Sequence, residues 1–503
     1  LPENNVHSQQ LNGLQRRWRI MQNYKTPFLW IDGERLGPDH RATMPVVNPS
    51  TGEALAKLPL ADAEDLDRAV AAAQRGFHIW RATSAYDRAK ILRRAAELLR
   101  ERSDEIAVQM TLEQGKPLHE AKGEIAGTPD FLDWDADEGR RIYGRLIPSR
   151  VPHQRQMVMK TPIGPVATFT PWNYPFMIPV RKISSVLAAG CSCIIKPAEE
   201  TPNSTLAIAE AFEDAGLPKG VLQVVFGVPA QVSQHLLTHA GIKGFAFTGS
   251  TAIGAELASL AARQVKRSVM ELGGHAPILI FDDADIEDVA QLTYARKFRN
   301  GGQGCISPSR FYVQARSYDR FCDRVAELVG SIKVGDGFAP DTQMGPLAHE
   351  RRVPWIEALI ADAVSKGARL LCGGKRVGEI GHFITPAVLA DVPDDARVMH
   401  EEPFGPLIAL NSFTDTDDAI AKANATEFGL SAYCFTRDNA TAIRVADEIE
   451  AGMIGINSFA VGAPTSIASP ETPFGGMKAS GYGSEGGIEG LEPYLDTKFV
   501  SQF

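Results

Sequence analysis

A cysteine closes the run Phe298-Arg299-Asn300-Gly301-Gly302-Gln303-Gly304-Cys305, and a carboxylate lies upstream in Glu271-Leu272-Gly273-Gly274. A thiolate is a strong nucleophile when its surroundings keep it reactive. A separate carboxylate can take a proton from water. Together they predict covalent catalysis, with Cys305 attacking an electrophilic carbon and Glu271 activating the water that releases the product. The stretch Thr170-Pro171-Trp172-Asn173 adds a side-chain amide. The NH₂ of Asn173 suits an oxyanion that forms only during reaction. Singly, these residues read as a core thiol, a strand-end carboxylate and a turn-closing asparagine; the case rests on their combination.

A second group of residues points to a nucleotide. Lys196-Pro197-Ala198-Glu199 ends an apolar run. Lys196 can donate to a ribose hydroxyl and Glu199 can accept from one. A carboxylate there repels a 2′-phosphate, which favours NAD over NADP. Gly249-Ser250-Thr251-Ala252-Ile253-Gly254 follows a strand and opens a helix. Its glycines let backbone approach a phosphate, and helix N-terminal N–H groups attract anions. It departs from the G-x-G-x-x-G fingerprint, so a plain strand-to-helix turn is the competing reading.

Alternating elements must position these groups. Short apolar strands are predicted at 166–170, 193–196, 222–225 and 245–248, separated by helices over about 176–189 and 204–215, with a further helix from about 251. Two-sided apolar strands linked by helices imply a parallel sheet covered on both faces. Such sheets bind ligands at the carboxyl ends of their strands. The alternation restarts after Glu271, with strands at 276–281 and 310–313 around a helix at 286–299, which predicts a second α/β domain. Ala, Leu and Ile at three- and four-residue spacing predict helix from Asp62 to about Arg102. Residues 142–160 and 494–503 read as extended.

At 503 residues the chain exceeds one ordinary core, so two or three domains are expected. A net charge of −9 with no long basic run argues against nucleic acid as a partner. The six cysteines are scattered, with neither a CxxC pair nor histidines at metal spacing. This predicts a reducing compartment, taken as the cytoplasm, and no metal site. No apolar run approaches the ~20 residues that span a bilayer. Residues 1–20 lack an apolar signal core and read as an N-terminal extension.

In combination, these motifs resemble the aldehyde dehydrogenase superfamily from about Tyr24 onward, and most nearly its succinate-semialdehyde dehydrogenase-like branch. The resemblance implies an α/β fold of two parallel-sheet domains plus a small β oligomerisation extension. The NAD-binding domain would take 21–138 and 162–273, the catalytic domain 274–473, and the oligomerisation segments 139–161 and 474–503. A homodimer or homotetramer follows from those segments. The implied catalytic residues are Cys305, Glu271, Asn173 and the proton-relaying Lys182. Cofactor contacts would come from Thr170, Pro171, Trp172, Lys196, Glu199, Gly249, Ser250, Leu272, Glu402 and Phe404. Arg181 and Arg299 match the arginines that hold a substrate carboxylate, with Ser469 assisting among the serines of 457–473 (Ser458 and Ser466 are the others).

The implied reaction is oxidation of succinate semialdehyde to succinate through a Cys305 thiohemiacetal and thioester. 2-Oxoglutarate semialdehyde fits the same arginines. Gly301 and Gly304 stand where the family usually has bulkier residues, which predicts a wider pocket that admits aromatic or aliphatic aldehydes, or a looser loop. Ile306-Ser307 after Cys305 leave no Cys-X-Cys redox pair. The rival readings are an acyl-CoA-forming enzyme, a thiol hydrolase and a catalytically silent NAD-binding protein.

Overall fold

The computed structural model describes residues 24–459 and 469–503. The expected extension at 1–20 and Ser466 lie outside them. Eight strands form the first sheet, in the spatial order Glu34–Leu36, Leu29–Ile31, Leu222–Val224, Cys193–Lys196, Val166–Phe169, Gly244–Thr248, Arg267–Glu271 and Gly481–Tyr482. The five strands from Leu222–Val224 to Arg267–Glu271 are mutually parallel. In chain order they run 3-2-1-4-5, so the winding reverses between Val166–Phe169 and Gly244–Thr248. A crevice opens at the carboxyl ends of strands at such a reversal.

Four of these strands, Leu222–Val224, Val166–Phe169, Cys193–Lys196 and Gly244–Thr248, are buried throughout. That explains their near-continuous apolar sequences. Helices Pro202–Asp214, Pro229–Thr238 and Thr251–Ala262 follow successive strands. The helical stretch expected over 62–102 is divided into Ala63–Ala82 and Ala85–Glu101. Ser84 makes the break: its side chain accepts from the Asp87 N–H and starts the second helix.

A second sheet of seven strands has Pro277–Ile280 near its centre, flanked by Arg310–Gln314 and Ser431–Phe435. It is parallel except at its edge, where Arg369–Cys372 runs against Ala387–Ala390. Apolar clusters pack on both of its faces. A third, antiparallel sheet is built from Arg145–Ile147, Arg155–Pro162 and Leu495–Gln502. Leu146, Met159 and Phe499 of these strands are exposed.

The stretch 474–503, expected as one oligomerisation segment, is divided in the fold. Met477–Lys478 pairs with Phe428–Gly429 near the second sheet. Gly481–Tyr482 then joins the first sheet beside Met270 and Glu271, and only Leu495–Gln502 reaches the third sheet. This return path delivers the chain between 481 and 495 to the back of Glu271.

Candidate active site

Cys305 follows a tight turn, Arg299–Gly302, at the end of helix Ile286–Lys297. The turn reverses sharply because Asn300 and Gly301 take left-handed backbone angles, with φ of 51° and 61°. Beyond it, the Ser307 N–H donates to the Gly304 carbonyl at 3.0 Å and closes a second turn around the cysteine. The Cys305 carbonyl lies 2.3 Å from where a Cβ at position 274 would sit. Gly274 is therefore what lets the segment after Glu271 pass against the nucleophile.

Cys305 is half-buried, and its thiol is held well above the ordinary range. Burial is the main cause, and the carboxyls of Glu271 and Glu402 add to it, while Arg181 opposes them. Asn173 is buried, and its NH₂ donates to the Gln303 carbonyl at 3.2 Å, two residues before Cys305. An amide nitrogen carries two hydrogens, so one remains for a reacting oxygen.

Glu271 ends its strand fully buried, and its Oε1 has no hydrogen-bond partner among the described residues. Burial and the facing carboxylate of Glu485 raise its pKa, while Arg181 and Lys182 pull it down. Both cations come from helix Met177–Ala188, which starts just after Asn173. Lys182 donates to Glu485, and an Arg181 guanidinium nitrogen lies 3.1 Å from the other Glu485 oxygen. With two cations beside it, Glu485 is held below the usual carboxylate range despite burial. Glu271 is thus the member of the pair that keeps a proton to higher pH and can exchange it near neutrality.

A cleft of about 1050 Å³ opens at the winding reversal. Thr170, Pro171, Trp172, Lys196, Glu199, Gly249 and Ser250 all line it. Lys196 and Glu199 form an ion pair of 2.5 Å in its wall. The buried hydroxyls of Thr170 and Thr248 have no partner among the described residues. Ser250 precedes helix Thr251–Ala262 without a side-chain cap, leaving that helix's first N–H groups for an anion. Nearer the cysteine, Glu402 accepts from the Gly274 N–H at 3.1 Å. The Phe404 ring packs edge-on to Trp172 with centroids 5.5 Å apart.

On another side of Cys305 a smaller pocket is lined by Gly304, Ile306, Tyr174, Tyr433, Phe459 and Arg299. Tyr433 fixes one wall by donating to the Ile306 carbonyl at 2.8 Å. Among the described residues Arg299 forms no hydrogen bond or ion pair, although its charge reaches the buried Glu120 carboxyl and pulls that group's pKa down.

Residues 37–500 match the model of the aldehyde dehydrogenase family. The chain belongs to the aldehyde dehydrogenase family. It is 45% identical over 477 residues to a putative 4-(hydroxymethyl)benzenesulfonate dehydrogenase of Comamonas testosteroni, covering 95% of this chain and 98% of that one. It is also 45% identical to the NADP(+) succinate-semialdehyde dehydrogenase of Escherichia coli K12, covering 93% and 96%. The crystal structure of a succinate-semialdehyde dehydrogenase from Burkholderia pseudomallei superposes with a TM-score of 0.91 at 43% identity, covering 95% and 98%.

Aldehyde dehydrogenases use a nicotinamide dinucleotide, and this cleft has the groups for one: unpartnered hydroxyls, an uncapped helix start and a Lys–Glu pair at a strand end. Leu272 lies outside the cleft lining, its N–H donating to the Ser480 carbonyl at 3.0 Å and its side chain against Gly254 of helix Thr251–Ala262. The residues expected to hold a substrate are not gathered in one place. Arg299 lines the small pocket, but Arg181 is outside that lining, 2% exposed and turned to Glu485 and the Phe474 ring. Ser469 is also outside it and bonds locally with Thr472. Gly301 and Gly304 differ in what they do. Gly301 serves its left-handed backbone and lies outside the small pocket, where a Cβ would come within 3.1 Å of Leu347, while Gly304 faces the Tyr174 ring within it. Glu485 was not singled out from the sequence. Nothing in Gly483-Ser484-Glu485-Gly486 announces chemistry, and only the return of the chain past Glu271 gives it a role.

Proposed function

We propose that the protein oxidises an aldehyde carrying a distal anionic group to the carboxylic acid, with NAD preferred to NADP and succinate semialdehyde as the first substrate to test. The observation that carries this reading is Arg299, a cation that forms no hydrogen bond or ion pair among the described residues, in the pocket beside Gly304 and Ile306 that Arg296 also lines. A guanidinium fork grips a carboxylate in two places. Relatives named for succinate semialdehyde and for a benzenesulfonate share a distal anion, which supports the same reading.

Cys305 attacks the aldehyde carbon as its thiol proton passes to the Glu271 carboxylate, and the thiohemiacetal forms. The Asn173 NH₂ and the Cys305 N–H hold the developing oxyanion. When bound, the nicotinamide supplies a hydride acceptor, which leaves a thioester on Cys305. Glu271, once it has given up the thiol proton, takes another from the attacking water, and the nearby charges of Glu485, Arg181 and Lys182 set the pH at which it can do so. Glu199 at the ribose position disfavours a 2′-phosphate. The exposed apolar side chains of the third sheet suit pairing with a second copy of the chain. All six cysteines are free, which fits a reducing, cytoplasmic setting.

NADH formation without CoA tests this reading against succinate semialdehyde, 2-oxoglutarate semialdehyde, butyraldehyde and benzaldehyde. The carboxylated aldehydes should lead in kcat/KM. A lead for butyraldehyde or benzaldehyde would overturn the anionic assignment, and a strict requirement for CoA would favour acyl-CoA formation.

A further inference from the structure

Asn173 follows a strand end of the first sheet and Cys305 follows a helix-ending turn that leads into the second sheet, yet they must meet one reacting carbon. The one direct bond between their segments noted so far, from the Asn173 NH₂ to the Gln303 carbonyl, uses the amide that the oxyanion needs. A second bridge does not. Asn300 is 3% exposed, and its NH₂ donates both to the Asn173 main-chain carbonyl at 2.8 Å and to the Gln303 carbonyl at 3.2 Å. Its own Oδ1 accepts from the Gln114 side chain at 2.7 Å, and its backbone N–H donates to Glu120 at 2.6 Å. Both amide hydrogens and the amide oxygen are engaged, so the side chain has one orientation.

We infer that Asn300 is a positioning residue that keeps the oxyanion donor Asn173 and the nucleophile Cys305 in register while the Asn173 amide turns to the reacting oxygen. This rests on the reading of Asn173 as the oxyanion donor. The Asn173 side of the bridge is itself anchored. Its carbonyl also accepts from Lys116 at 3.0 Å, and Lys116 is paired with Glu124 at 2.5 Å in the interior. Glu124 in turn accepts from the N–H groups of Phe176 and Met177, where the helix bearing Arg181 and Lys182 begins. Asn300 thus joins a fixed platform under Asn173 to the loop that ends in Cys305.

The residue type follows from two demands. The backbone at 300 is left-handed, at φ 51° and ψ 32°, which glycine and asparagine accept more readily than most residues. The bridge needs two donors directed at carbonyls, which glycine and aspartate lack. Asn300→Gly keeps the backbone and deletes the bridge. Asn300→Asp keeps size and backbone but turns a carboxylate toward two carbonyl oxygens.

The test compares wild type, Asn300→Gly, Asn300→Asp and Asn173→Ala in four readouts. These are kcat, KM for NAD, the deuterium isotope effect with [1-²H]aldehyde, and NAD-independent hydrolysis of p-nitrophenyl acetate. A misplacement of about 1 Å costs on the order of 10²-fold in rate. We expect both Asn300 variants to lose about that much in kcat and in ester hydrolysis together, with KM for NAD within about twofold of wild type. The isotope effect should shrink as adduct formation becomes limiting. If either Asn300 variant folds and keeps kcat within about threefold while Asn173→Ala is crippled, the bridge has no positioning role and the inference fails alone. If Asn173→Ala itself keeps kcat, the oxyanion reading fails with it. Should Asn300→Gly not fold, Asn300→Asp decides the matter by the same criterion.

Discussion

Glu485 faces Glu271 across the cations of Arg181 and Lys182, and the two carboxyls divide that positive charge unequally. Glu485 takes the closer contacts and stays ionised, while Glu271 is left with burial and a like charge. A carboxyl raised in this way is a poor base in acid and becomes competent as pH rises through its raised pKa. Thioester hydrolysis should therefore show an ascending limb with pH that reports Glu271. In Glu485→Gln the repulsion disappears and both cations turn to Glu271, so the limb should move to lower pH. Stopped-flow release of the acyl enzyme from pH 5 to 9 checks the direction; a limb that stays in place would separate Glu485 from the hydrolytic step.

Loss of the Arg299 guanidinium should separate substrates by charge. A hydrogen bond between charged groups contributes about 1.5–3 kcal/mol, which is roughly 10- to 100-fold in kcat/KM. Arg299→Ala should lose that much toward succinate semialdehyde and almost nothing toward butyraldehyde. Equal losses for both would assign Arg299 to the loop rather than to the substrate.

Cofactor choice should respond to Glu199. Its carboxylate sits with Lys196 in the wall of the dinucleotide cleft. Glu199→Gln removes a charge that repels a 2′-phosphate and frees Lys196 to meet one. We expect KM for NADP to fall by about tenfold or more, with a smaller rise for NAD. Initial rates with both dinucleotides measure the ratio, and an unchanged ratio would place discrimination elsewhere in the cleft.

Gly301 and Gly304, both just before Cys305, should behave differently. Gly301→Ala forces a Cβ into a left-handed backbone at φ 61°, at a cost of about 1–2 kcal/mol. Thermal unfolding should register this as a lower Tm. A Cβ at Gly304 would lie 3.6 Å from Tyr174, an ordinary contact. Gly304→Ala should fold normally, while Gly304→Val should narrow the pocket and penalise benzaldehyde more than succinate semialdehyde. The opposite ranking of stabilities would contradict the assignment.

Much of the fold was legible because its signals are local. The buried strands Val166–Phe169 and Gly244–Thr248 are apolar at nearly every position, and the helices between them keep a helical period. The family followed from motifs that are contiguous in sequence: the Cys305 run, Glu271-Leu272-Gly273-Gly274 and the Asn173 turn. Seven residues read as dinucleotide contacts do line one cleft, since each sits at a strand end and strand ends meet at a winding reversal.

Charge pairing was decided by the tertiary structure. Arg181 and Arg299 look equivalent as sequence, each a lone arginine at a fixed distance from a reactive residue. In the fold one is turned to Glu485, while the other forms no ion pair among the described residues and acts on Glu120 only through its charge. The difference arises because Gly481–Tyr482 pairs with Met270 and Glu271, bringing Glu485 beside a helix some 300 residues earlier in the chain. A long-range pairing of this kind leaves no local pattern, since the sequence fixes each side chain's chemistry but not which distant partner closes on it.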